Sequence, residues 1–192
     1  MKKLLSSLGL VVLCFLILDF QYLSKNLSYY FHKTLANPIA EEISRTVIEP
    51  NLLIVEALAI RVPIQYVAVV DENKFQQALA NGVVHYPGTA QVGEVGNAYI
   101  FGHSSDFPWK AGSYKTVFAT LPKIKLGDQI VVSDRIGKKF IYEVKEAKIV
   151  SKDDLSVLDQ RDYEKSWLTL QTSWPVGTAL KRFVAVAELV KQ

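Results

Sequence analysis

Cysteine is almost absent from this 192-residue chain. The single Cys14 can form no internal disulfide, no Cys-x-x-Cys redox pair and no multi-thiolate zinc site. Charge of one sign is equally scarce. Twenty-two Lys and Arg face 19 Asp and Glu, a formal net charge of +3, and no basic run exceeds two residues, which argues against a nucleic-acid surface. No Walker loop, dinucleotide fingerprint or zinc-binding helix motif is present. The carboxylates Glu94, Asp106, Asp153 and Asp154 match no EF-hand spacing. The expectation is therefore a protein without cofactor or metal.

What the chain does have is apolar residues, 49% against 21% charged, enough for a buried core. The segment Leu4–Leu23 is largely apolar and follows Lys2 and Lys3. It reaches the ~20 residues that span a bilayer. A cleaved signal peptide shares the basic start and apolar run, but Asp19, Phe20, Gln21 and Tyr22 supply no small-residue cleavage site. Residues 1–23 read as an uncleaved anchor that leaves the rest of the chain outside a cell membrane. Cys14 then sits in lipid as a small apolar side chain. Residues 24–50 read as a stalk, with Leu35, Ile39, Ile43 and Val47 at four-residue spacing interrupted near Pro38.

From residue 51 to 192 the pattern changes to short β-branched runs between turn residues. Strands are expected at Leu53–Val55, Ala59–Val62, Tyr66–Val69, Ala98–His103, Gln129–Asp134, Lys139–Ile149, Leu168–Thr172 and Arg182–Leu189. One helix is expected at Glu72–Ala80, ended by Asn81-Gly82, and a second at Thr116–Leu121. The fold class is mainly β, a closed sheet or barrel with one or two short helices, preceded by the anchor helix.

Three segments carry candidate chemistry. Gly82–His103 is a Gly/Pro-rich loop running into an apolar strand that ends in Gly102-His103. Leu168–Pro175 is a strand leading to the hydroxyl of Ser173, and Lys181-Arg182-Phe183 opens the last strand. Strand ends set side chains at one rim of a sheet, where catalytic groups commonly sit.

Gly96-Asn97…Gly102-His103, Thr169-Leu170-Gln171-Thr172-Ser173 and Arg182 together resemble the motifs of the sortases, membrane-anchored cysteine transpeptidases. The resemblance covers roughly Asn51–Val190. It implies a sortase-type β-barrel whose ligand is the C-terminal sorting signal of secreted proteins, of the Leu-Pro-x-Thr-Gly kind. It also implies an amine acceptor, either a cell-wall precursor or a pilin Lys. His103, Ser173 and Arg182 take the catalytic positions, and Thr172, Trp174 and His85 are candidates for shaping the substrate site.

The departure lies at the nucleophile, where Ser173 stands in the place of the family's Cys. A thiolate is accessible near neutral pH, whereas a Ser hydroxyl needs a base within hydrogen-bond reach. His103 can be that base when neutral, and a nearby Arg182 opposes its protonation. Arg182, always charged, suits the oxyanion. No Asp or Glu motif identifies a third member to orient His103. Three readings stay open: a transpeptidase impaired by Ser173, a sorting-signal-binding pseudo-enzyme, and a serine peptidase or hydrolase on the same fold.

Overall fold

Period-two alternation of buried and exposed positions sets the strand faces of the globular part, seen here in a computed structural model. It describes residue 27 and residues 48–107, 109, 111–161 and 163–191. The expected anchor over 1–23 lies outside the described residues. So does the stalk, apart from Leu27 and residues 48–50.

Eight strands follow: β1 Leu52–Val55, β2 Ile60–Tyr66, β3 Val83–His85, β4 Gly96–Phe101, β5 Gln129–Ser133, β6 Lys139–Ser151, β7 Ser166–Trp174 and β8 Lys181–Lys191. They close into a barrel in the order β1-β2-β3-β4-β7-β8-β6-β5, with β5 pairing back onto β1. Most pairings are antiparallel; β2–β3 and β4–β7 are parallel. The interior is filled by Leu53, Val62, Ile100, Ile130, Tyr142, Leu168, Leu170 and Ala185, all buried. Each fully buried Leu or Ile contributes roughly 1.5–3 kcal/mol by leaving water.

Among the described residues an α-helix, α1 (Glu72–Leu79), packs on the outside of the barrel. Asp71 caps it by accepting the backbone N–H of Lys74 at 2.9 Å. Its apolar stripe, Phe75 and Leu79, covers Val84 of β3. The helix ends at Leu79, where Asn81 Nδ2 donates to the Gln77 carbonyl at 3.1 Å. Gly82 follows because a Cβ there would lie 2.2 Å from the Pro63 carbonyl oxygen. Only glycine lets β3 start so close to β2.

The structure corrects several expectations. Where two strands were expected at Ala59–Val62 and Tyr66–Val69 there is one, β2, which runs through Pro63 and stops at Tyr66, so residues 67–69 are not strand. Pro63 ends the pairing with β1, and pairing with β3 starts at Ile64, so its missing N–H falls where one ladder gives way to the next. The three-residue β3 was expected as loop. The helix expected over Thr116–Leu121 is a series of turns leading to a 3-10 turn at Leu121–Lys123. The Phe118 N–H is committed to the His103 carbonyl at 2.9 Å, outside any helical pattern.

Candidate active site

β4, β7 and β8 are neighbours in the barrel, and their register brings three chemically suited side chains together. In the parallel β4–β7 pair, Tyr99 lies opposite Thr169 and Phe101 opposite Gln171. Continued by two residues, that register sets His103 beside Ser173. In the antiparallel β7–β8 pair, Ser173 is the direct partner of Arg182. All three side chains line one cleft of about 310 Å³, and each residue is half-buried.

The alternation of side chains decides which face this is. Leu168 and Leu170 belong to the barrel core, so Gln171 and Ser173 point outward. Tyr99, Phe101 and His103 are in phase with them. The cleft therefore lies on the barrel's outer face, floored by strand residues and walled by α1 on one side. Phe75 of α1 meets Phe101 edge-on at 5.2 Å, and Tyr86 meets Tyr99 at 5.9 Å, giving that side an aromatic wall.

The opposite wall is the connection between β6 and β7, which contributes Lys152, Asp154, Leu155, Val157 and Leu158. It is held by Asn97, a fully buried residue whose Nδ2 donates to the carbonyls of Val157 and Asp159, both at 3.1 Å. Asn97 Oδ1 accepts from Thr169 Oγ1 at 2.8 Å. Gln160 Oε1 adds contacts from the N–H groups of Ala90 and Asn97. Gly96, at φ +112°, leaves the space that Gln160 occupies. The Gly96-Asn97 pair is thus scaffolding for the cleft wall.

The two glycine-histidine and threonine-serine segments are stitched directly. Gly102 donates its N–H to the Gln171 carbonyl at 3.1 Å, and Thr172 Oγ1 donates to the Gly102 carbonyl at 2.9 Å. A Cβ on Gly102 would come within 2.9 Å of Val83 and Phe118. The residue preceding His103 is glycine for lack of room.

Arg182 is anchored by its own turn, Nη1 donating to the carbonyls of Ala179 and Lys181 at 3.2 and 3.1 Å. Its positive field reaches Tyr99, whose hydroxyl donates to Gln171 Oε1. Burial nonetheless pushes the Tyr99 phenol well above its ordinary range, with Arg182 opposing, so it stays a neutral donor in the cleft.

The remaining sequence candidates sit elsewhere. Thr172 is fully buried behind the cleft floor. Trp174 packs against the barrel core and meets Phe183 at 6.5 Å, on the opposite face of β7 from Ser173. His85 pairs with Ile100, again on the inward face. It stacks on Tyr66 at 5.0 Å, donates Nε2–H to the Ala90 carbonyl at 2.8 Å, and lines a separate cleft with Tyr66 and Arg135. Burial holds its imidazole below the ordinary His range.

The sequence reading did not place two groups at the site. Tyr86, Tyr99 and Phe101 form the aromatic wall, and in sequence they look like ordinary core residues; strand phase relative to Ser173 was the signal that marks them. Asp106 Oδ2 lies 3.6 Å from His103 Nε2. Its three-residue spacing within a loop matches no motif.

Known proteins share this barrel. A family model for the sortase domain matches residues 53–190. Sortase D of Bacillus subtilis strain 168 is 33% identical over 115 residues, 58% of this chain and 52% of the relative, so the chain spans about half the length of that curated relative. Among solved structures, sortase C-1 from Actinomyces oris superposes with a TM-score of 0.61 at 24% identity, over 76% of this chain and 77% of that one. Sortase C from Clostridium perfringens SM101 gives 0.58 at 24% identity, over 73% and 69%.

Proposed function

The chain belongs to the sortase family, and on that footing we propose that it binds C-terminal sorting signals of the Leu-Pro-x-Thr-Gly kind and transfers their acyl group through Ser173. The observation that carries this reading is the convergence of His103, Ser173 and Arg182 from three adjacent strands on one outer-face cleft. Residues 1–23 anchor the chain in a cell membrane with the barrel outside.

In this scheme the Ser173 hydroxyl attacks the carbonyl at the scissile bond and gives its proton to His103. Negative charge develops on the carbonyl oxygen, and the guanidinium of Arg182 faces it. Collapse breaks the C–N bond, and His103 returns the proton to the departing amine. An acyl ester on Ser173 is left for a primary amine to resolve, from a cell-wall precursor or a pilin Lys.

A second reading is favoured by one residue. Without thiolate at position 173, the same cleft can retain a sorting signal without cleaving it. The full chain and its Ser173→Cys variant, each incubated with a labelled Leu-Pro-Glu-Thr-Gly peptide and triglycine, separate the cases by intact-mass spectrometry. An ester on the wild-type chain, or a peptide–triglycine product, establishes transfer. Free peptide acid as the sole product establishes a hydrolase. Reaction of the Cys variant alone establishes binding without turnover, and absence of peptide binding by either chain rejects the proposal.

A further inference from the structure

We infer that Asp106 is the positioning residue of His103, giving this chain a carboxylate–imidazole–hydroxyl relay on the barrel rim; the inference rests on Ser173 and His103 being the reacting pair. A cysteine site has little need of such a group, because the thiolate forms readily. A serine site needs a base held in one tautomer and one orientation, and a carboxylate on the far ring nitrogen supplies both.

Asp106 meets the geometric requirements. Its Oδ2 lies 3.6 Å from His103 Nε2, with side-chain exposures of 10% for Asp106 and 20% for His103. That separation is ion-pair distance and longer than a hydrogen bond. Contacts of this type commonly tighten once substrate closes the site. A carboxylate so withdrawn from water needs compensation by a partner. Its other oxygen, Oδ1, accepts the Phe107 N–H at 2.7 Å, which fixes the carboxylate plane. The loop between the two residues is tied at both flanks. Phe118 N–H donates to the His103 carbonyl at 2.9 Å, and Ser105 Oγ accepts the Gly177 N–H at 3.1 Å.

The charges around the imidazole make the carboxylate consequential. Arg182 approaches from β8, Lys152 and Asp154 from the β6–β7 connection, and the phenols of Tyr86 and Tyr99 from the aromatic wall. With Asp106 on Nε2–H, Nδ1 is the nitrogen that takes the Ser173 proton as the Oγ–C bond forms. The imidazolium so produced has Asp106 3.6 Å from Nε2, and that carboxylate offsets the repulsion from Arg182 in the same cleft. Nδ1–H then protonates the leaving amine as the C–N bond breaks. A primary amine or water, deprotonated by the same Nδ1, attacks the ester and restores the Ser173 hydroxyl.

The test uses the full chain labelled with 15N-histidine, with Asp106→Asn and Asp106→Glu variants whose folding is verified by thermal melting. The expected spectrum shows His103 protonated on Nε2 in the wild-type chain and a tautomer mixture in Asp106→Asn. Ester formation from the Leu-Pro-Glu-Thr-Gly peptide falls about 10²-fold in Asp106→Asn, short of the ~10⁴ seen when an ideal triad loses its carboxylate. Peptide affinity stays within twofold, and Asp106→Glu recovers part of the rate. A wild-type His103 protonated on Nδ1 overturns the inference, as does an Asp106→Asn chain with unchanged tautomer and rate. If the wild-type chain makes no ester, the transfer reading fails by itself, and the tautomer comparison still decides the role of Asp106.

Discussion

Thr172 Oγ1 donates to the Gly102 carbonyl at 2.9 Å, binding the residue before Ser173 to the residue before His103. The bond is buried and joins positions 70 residues apart in sequence. Thr172→Val keeps the shape and leaves that carbonyl without the hydroxyl. The expected cost is about 1–3 kcal/mol in urea unfolding. The expected loss in ester formation exceeds the loss in peptide affinity, because the His103–Ser173 spacing loosens while the cleft walls stay in place.

Asn97 is the test of the cleft wall. Asn97→Ala removes donors from two carbonyls and the acceptor from Thr169 at a fully buried site. Stability drops by roughly 2–3 kcal/mol, readable from the unfolding midpoint. Peptide affinity weakens as well, since Leu155–Leu158 is no longer pinned beside Ser173; isothermal titration checks this.

Arg182→Lys keeps the charge and discards the planar fork. Nη1 already serves the carbonyls of Ala179 and Lys181, so the guanidinium both holds its turn and faces the cleft. A Lys ammonium cannot do both with fixed geometry. Ester formation is expected to fall on the order of 10²-fold, with peptide affinity changed far less. Single-turnover kinetics at saturating peptide measure the difference.

His85 predicts an acid-side loss of stability. Burial holds its folded pKa below that of the unfolded chain, which lies near 6.5. Above about pH 6.5 both states are neutral at this site and it contributes no slope. As the pH falls below 6.5 the unfolded chain binds the proton that the folded chain refuses, so stability declines until the folded pKa is passed, then levels. Urea titrations at pH 7.5 and 5.5 should show a larger drop for the wild-type chain than for His85→Gln.

Much of the barrel was legible because alternating apolar residues mark strands that have one face in a core, as in Gln129–Ser133 and Lys139–Ser151. The continuity of β2 was not legible, because a proline's missing N–H ordinarily breaks a strand and only the neighbouring ladders show that Pro63 falls at a changeover. At the site, the motifs singled out His103, Ser173 and Arg182, and the fold brings these three to one cleft. The phase of their neighbours was not used, although period two already sends Trp174 and Thr172 to the face opposite Ser173. The same alternation turns His85, two strands away on β3, to the inward face. Asp106 was weighed only as a metal ligand, and its place beside His103 was not legible, since nothing in His-Ser-Ser-Asp fixes how the loop folds back.

The outward direction of Ser173 also separates two kinds of selection. A change of oxygen for sulfur at this position leaves the packed interior in place, so its expected effect on folding free energy is small. On the reading proposed for this cleft, exchange of hydroxyl for thiol at position 173 would register in the reaction rather than in the fold.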